Sequence, residues 1–207
     1  MGGCVNKSKQ ETPKQQNFGI KLRNESSSLH KEENKPIVAK VVLLGDQNVG
    51  KSSIAQRFCK NLFTGQYVVT VGGAYFQQKL ILGNGSIIKF HIWDTGGHER
   101  FRSMANLYYH DASAAILTYD VSNEKSYESL NYWIEELKNK VDKDKLVLCL
   151  AGNKCDREVI DKKVHTLTAK NFAEINKMQF FETSAKDDIG IKELFQSLAK
   201  KIYENQA

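Results

Sequence analysis

The sequence predicts an α/β protein: a three-layer sandwich around a six-stranded, mostly parallel sheet with one antiparallel hairpin strand. Three observations carry this. Short apolar runs alternate with segments of helical period along most of the chain. One pair of runs is joined by Gly83-Asn84-Gly85, a hairpin signal, so only that pair need be antiparallel. The first apolar run also leads through a glycine-bounded loop into a helix start, as a phosphate-binding turn does.

The elements follow in order. Residues 1–35 are polar and rich in Ser, Asn, Gln and Lys, which predicts a flexible N-terminal tether before a folded domain over 36–207. Ile37 to Leu44 is a near-continuous apolar run, as expected of a strand buried on both faces. Ser52 to Lys60 has Ile54, Ala55 and Phe58 at helical spacing, whereas Asn61 to Gly73 shows neither period and reads as a loop. Ala74 to Leu82 and Ser86 to Trp93 are the hairpin strands, Asp94 to Asn106 is polar and irregular, and Ala112 to Tyr119 is another buried strand. Ser126 to Val141 reads as a helix, with Leu130, Trp133, Ile134 and Leu137 on one face. A strand at Lys145 to Ala151, a helix at Thr168 to Asn176, a strand at Met178 to Glu182 and an amphipathic helix at Ile189 to Tyr203 complete the chain.

With 207 residues there is room for one full core and a tail. No run approaches the roughly 18 apolar residues that span a bilayer, and no secretory signal follows Met1, so the chain is expected in the cytosol unless something attaches it to a membrane. The cysteines Cys4, Cys59, Cys149 and Cys155 have no zinc spacing and read as reduced thiols. Half of the formal +6 charge falls in residues 1–36, where seven Lys or Arg face four Glu. No stacking aromatics accompany these lysines, so an anionic membrane surface fits better than nucleic acid. Gly2, exposed by removal of Met1, is a candidate myristoylation site, although Asn6 stands where Ser or Thr is preferred. One acyl chain holds a membrane marginally, and Cys4 as a palmitoylation site, with Lys7 and Lys9, would supply the second signal.

Four stretches carry the chemistry. In Gly45-Asp46-Gln47-Asn48-Val49-Gly50-Lys51-Ser52, two glycines with four residues between them let backbone N–H groups wrap phosphates, and the following helix N-terminus favours an anion. Lys51 can reach the terminal phosphates, and Ser52 can offer its hydroxyl to Mg²⁺; Asp46 to Ser53 is thus the expected phosphate cradle. Asp94 stands at a strand end, where it can hold Mg²⁺ through water. Asn153-Lys154-Cys155-Asp156 and Glu182-Thr183-Ser184-Ala185-Lys186 follow two further strands. Ligands of such sheets bind at the strands' carboxyl ends, so one crevice can collect all four.

With these motifs in this order, residues 36 to 205 resemble the Ras-like small GTPases, and among them the Rab family. The resemblance implies a P-loop GTPase fold that binds GTP or GDP with Mg²⁺ and hydrolyses GTP. It implies that Asp156 accepts the ring and exocyclic N–H groups of guanine, that Asn153 approaches N7, and that the stem of Lys154 covers the base. Ser184, Ala185 and Lys186 complete that end, with the Ala185 N–H on the guanine oxygen, and Phe63 closes the base or ribose edge. Thr70 would join Ser52 on the metal only when the γ-phosphate is present, which also holds the Gly97 backbone. Tyr75, Trp93 and Tyr108 match the family's aromatic triad on the effector-facing surface. Thr70 to Phe76 together with the N-terminal Gly-Gly-Cys look most like N-acylated members of the early-endosomal Rab branch. Implied with this are effectors, an exchange factor, a GTPase-activating protein, a monomer, and residence on the cytoplasmic face of endosomal or vesicular membranes with a cytosolic pool.

Three departures stand out. The C-terminal residues hold no cysteine for prenylation, which favours the acylated start. His98 occupies the place of the family's water-orienting Gln, so turnover, which would rest on Lys51, Thr70 and His98, is expected to be slow. Gln47 and Asn48 fill positions that are often small: they either crowd the γ-phosphate or an activating protein, or Gln47 partly replaces the missing amide. The alternative to a cycling GTPase is a GTP-loaded, hydrolysis-poor scaffold on a membrane.

Overall fold

The first strand, β1 (Ile37–Leu44), has side chains that alternate between two cores, because successive residues of a strand face opposite ways. Val41 and Leu43 enter one core and Val42 and Leu44 the other, all fully buried. Truncating Leu43 to Ala would cost about 2–5 kcal/mol. The computed structural model describes residues 1–3, 35–66, 68–97, 108–141 and 146–206. It separates into Met1–Glu32 and Glu33–Ala207; of the first unit residues 1–3 are described, and they are exposed.

In the second unit, β1 leads to helix α1 (Lys51–Lys60), then to the hairpin strands β2 (Gly73–Ile81) and β3 (Ile87–Thr95) and to β4 (Ala114–Asp120). Two short helices follow, α2 (Glu124–Glu128) and α3 (Leu130–Lys140), then β5 (Val147–Asn153), a 3₁₀ turn at Val159–Asp161, α4 (Thr166–Ile175), β6 (Gln179–Thr183) and α5 (Ile191–Gln206). The sheet order is β2-β3-β1-β4-β5-β6, with β2 antiparallel to β3 and every other pair parallel. This is the mostly parallel six-stranded sheet that the sequence predicts.

Helices α1 and α5 cover one face, where Leu194, Phe195, Leu198 and Ile202 repeat at the helical period that builds a single apolar stripe. Phe195 stacks on Phe58 at 3.7 Å between ring centroids. Helices α3 and α4 cover the other face through Leu130, Trp133, Ile134, Ala169 and Ala173. β2 is an edge strand whose residues alternate between half-buried and exposed.

The single helix expected at Ser126 to Val141 is two helices, beginning at Glu124 and broken at Ser129. Polar side chains cause both changes. Asn123 caps α2 by accepting from the Ser126 N–H, and the Ser129 hydroxyl donates back to the Ser126 carbonyl at 3.0 Å, which competes with continuous helix bonding. Asp94, expected just past a strand, is the last residue but one of β3.

Candidate functional site

Because β1, β3, β4, β5 and β6 run parallel, their carboxyl ends share one edge of the sheet, and the start of antiparallel β2 joins them there. Along that edge lies a cleft of about 820 Å³. Its walls include Gln47, Asn48, Gly50, Lys51, Ser52 and Ser53 on one side and Asn153, Lys154, Asp156, Ala185 and Lys186 on the other, with Phe63, Thr70 and Gly97 between. Val49 and Ser184 are buried beside this lining and Asp46 is half-buried.

At the phosphate-loop end, Gly50 has φ +99° and begins α1 with no side-chain cap, so the first N–H groups of the helix have no capping side-chain acceptor. A Cβ on Gly50 would collide with the amide nitrogen of Asn153, which donates to the Val49 carbonyl at 2.8 Å. The other end of that amide accepts from the Thr183 hydroxyl at 3.2 Å. Asn153 therefore ties the phosphate loop to β5 and β6, a coupling that the motif alone does not reveal.

Lys51 is buried, and its ammonium donates to the carbonyls of Gly45 at 2.8 Å and Asp46 at 2.7 Å. Burial lowers its pKa to about 8, against the pull of Asp94 and Asp46. Gly97 crosses directly over this point; any Cβ there would overlap the Asp46 carbonyl and the Lys51 Nζ, so only glycine admits the approach.

The Ser52 and Thr70 hydroxyls lie 2.9 Å apart. Beside them Asp94, 1% exposed, has two carboxylate oxygens that accept no hydrogen bond among the described residues. Burial raises its pKa, while the nearby Ser52 hydroxyl, the Lys51 ammonium and the Thr70 hydroxyl act to lower it. A buried carboxylate whose oxygens accept no well-formed hydrogen bond is costly unless a cation balances it. Two hydroxyls and a carboxylate are hard oxygen donors of the kind Mg²⁺ prefers, so these residues fit that ion. Among the described residues no group of three or more His, Cys, Asp or Glu offers an alternative metal site.

At the far end, Asp156 accepts a 2.6 Å hydrogen bond from Ser184, whose own oxygen accepts from the Asp187 N–H at 3.0 Å. One carboxylate oxygen is thus fixed, and the Lys186 ammonium lies 3.9 Å from the other. Lys154, at φ +64°, sends its ammonium to Asp120 at 2.7 Å, which lays its stem along the cleft wall. Burial works to raise the Asp120 pKa, but bonds from Lys154 and Ser122 outweigh it and hold the carboxyl below its ordinary value.

Arg57, Asp120 and Ser122 belong to this site and were not singled out from the sequence. Arg57 on α1 donates to the carbonyls of Ala185 at 2.9 Å and Lys186 at 3.0 Å, clamping the Ser184–Lys186 turn. Its partner lies 128 residues away, so no local pattern marks it. Asp120 ends a strand as Asn153 does, and that position was the available signal.

Tyr75, Trp93 and Tyr108 are contiguous, with centroids 5.1 Å and 5.6 Å apart, and Tyr75 is 44% exposed. Gly2 is exposed, and His98 and Cys4 lie outside the described residues. The described thiols are not activated: burial pushes Cys59 up to about 11 and Cys149 up to about 12.

The Ras family model matches residues 40–204. The chain is 44% identical to the Ras-related protein Rab-5B of Plasmodium falciparum, over 79% of this chain and 77% of that protein. It is 43% identical to the Ras-related protein RABF2b of Arabidopsis thaliana, over 82% and 83%, and 39% identical to the GTP-binding protein YPT52 of Saccharomyces cerevisiae, over 80% and 82%.

Proposed function

The chain belongs to the Ras family of small GTPases, in its Rab5-type branch, and from that premise we propose a membrane-anchored guanine-nucleotide switch serving endosomal or vesicular traffic. As a member of that family it hydrolyses GTP to GDP. The observation that carries the reading is the single cleft with a phosphate cradle at one end and the Ser184-fixed carboxylate of Asp156 at the other. Guanine presents two N–H groups to a carboxylate placed there, and adenine does not. Asn153, Lys154 and Ala185 complete the base end, and Phe63 borders the sugar.

At the phosphate end, α1 N–H groups and Lys51 bind and orient the phosphates. Ser52 and Thr70, with Asp94 acting through water, would hold Mg²⁺, which would supply positive charge against the phosphates. Thr70 and Gly97 sense the γ-phosphate, so their loops relax once it leaves, and the Tyr75–Trp93–Tyr108 surface is read by effectors accordingly. An exchange factor and an activating protein set the cycle of what we take to be a monomer. Gly2 myristoylation and Cys4 palmitoylation hold the chain on the cytoplasmic face, supported by the exposure of Gly2 and by the basic residues after it.

His98 favours slow turnover, because an imidazole cannot offer water a carbonyl and phosphate an N–H as an amide does. In single-turnover hydrolysis His98→Gln should accelerate the reaction by about ten-fold or more; no acceleration refutes the slow-switch reading. The nucleotide released from freshly purified protein tests the whole proposal: a guanine nucleotide supports it, mostly GTP favouring the scaffold and mostly GDP the cycling enzyme. Purification with bound adenine nucleotide would contradict it.

A further inference from the structure

The hairpin end of the sheet carries a basic row with no neutralising partner among the described residues. On β2, Phe76 and Leu80 turn towards the core under α1 and α5, so Tyr75, Lys79 and Ile81 point to the other, exposed face. The antiparallel register sets Lys79 directly opposite Lys89, the parallel register sets Lys89 beside Val38, and Ile81 faces Ile87 one row further. Val38 is 55% and Ile81 70% exposed. Among the described residues neither Lys79 nor Lys89 makes an ion pair. Like charges directly opposed across a strand pair are destabilising, so folding by itself disfavours this row.

We propose that the row is a docking surface for an anionic membrane, with Lys79 and Lys89 on lipid headgroups and Val38 and Ile81 in the interfacial layer. Lysines interleaved with exposed aliphatics match an interfacial surface in both charge and polarity. The face is an open sheet, which suits a planar surface better than a helix-shaped ligand. Exposed Lys35 enters β1 at this same end and adds a third positive charge. Tyr75 lies on the same face four residues, or about 13 Å, along the strand from Lys79, so the contact centres on the hairpin end with the aromatic surface at its margin. The inference rests on the membrane attachment proposed above and deepens it: an acyl chain holds weakly, and this row gives the folded domain its own contact and a defined orientation.

The test is co-sedimentation of the full-length, unacylated chain with vesicles of phosphatidylserine and phosphatidylcholine, against phosphatidylcholine alone. Lys79→Gln with Lys89→Gln should weaken partition into the anionic vesicles by about 30-fold, the product of two surface lysines. The charge-matched pair Lys200→Gln with Lys201→Gln should change it by less than about two-fold, since these residues already face Glu204. The row variant should melt at the same temperature or higher, which separates lost docking from lost folding. Equal loss in both pairs, or unchanged partition in the row variant, overturns the proposal. Unchanged partition with lost binding of soluble polyglutamate would assign the row to an acidic protein and overturn it too. The mass of Gly2 is read separately: an unmodified glycine with row-dependent partition sinks the acyl anchor and leaves the docking face standing.

Discussion

Replacing Asp94 by Asn should move stability and metal-dependent binding in opposite directions. The carboxylate is buried, accepts no hydrogen bond among the described residues, and has a pKa that burial raises despite Ser52, Lys51 and Thr70 nearby, so in the nucleotide-free domain it is a destabilising charge. An unsatisfied buried group costs about 1–3 kcal/mol, and more when charged. The amide should therefore stabilise the nucleotide-free domain by about 1–3 kcal/mol, or roughly 2–12 °C in melting temperature for a domain of this size. The same change removes the outer partner of the metal, and losses of that kind weaken metal affinity by about 10–100-fold. Scanning calorimetry of nucleotide-free protein reads the first effect. Release of fluorescent GDP in Mg²⁺ and in EDTA reads the second. A variant that melts lower, or that keeps the full Mg²⁺ dependence of GDP retention, would refute the reasoning.

Three further predictions follow from the same geometry. The folded Lys51 pKa, about 8, lies below its unfolded value, so the nucleotide-free domain should gain stability as pH rises from about 8 towards the ordinary lysine range. Phosphate favours the charged ammonium, so GDP affinity should fall above pH ~8 with proton uptake on binding; calorimetry in buffers of different ionisation enthalpy would reveal a contradictory absence of linkage. Arg57→Met removes two charge-assisted bonds to the Ala185 and Lys186 carbonyls and should speed GDP release about 30-fold, a loss near 2 kcal/mol, with Arg57→Lys failing to rescue it. An unchanged release rate would make that clamp dispensable. Asp156→Asn should weaken GTP by about 10²–10⁴-fold and admit xanthosine triphosphate in competition binding; unaltered GTP affinity would overturn the assignment of the base end.

What could be read from the chain was local physics. The apolar run of β1 and the glycine-bounded loop after it reveal themselves within a few residues, because burial on both faces and phosphate wrapping each demand a contiguous pattern. The strand-end positions of Asp94, Asn153 and Ser184 follow from the same reasoning about parallel sheets. Arg57 was not legible, since an arginine on a half-buried helix face is ordinary until the fold brings the Ser184–Lys186 turn beside it. The break at Ser129 escaped because Leu130 to Leu137 has a strong helical stripe, whereas the stop depends on hydroxyls bonding back to the chain. The opposed lysines at 79 and 89 need register, and the hairpin turn implies that register without displaying its consequence.

The most direct measurement is calorimetric titration of nucleotide-free protein with GDP and, separately, with ADP, each with and without Mg²⁺. Tight binding of GDP that needs Mg²⁺, with no heat from ADP, is the result expected if one cleft grips phosphate, metal and guanine together. Equal binding of both nucleotides, or of neither, would contradict it.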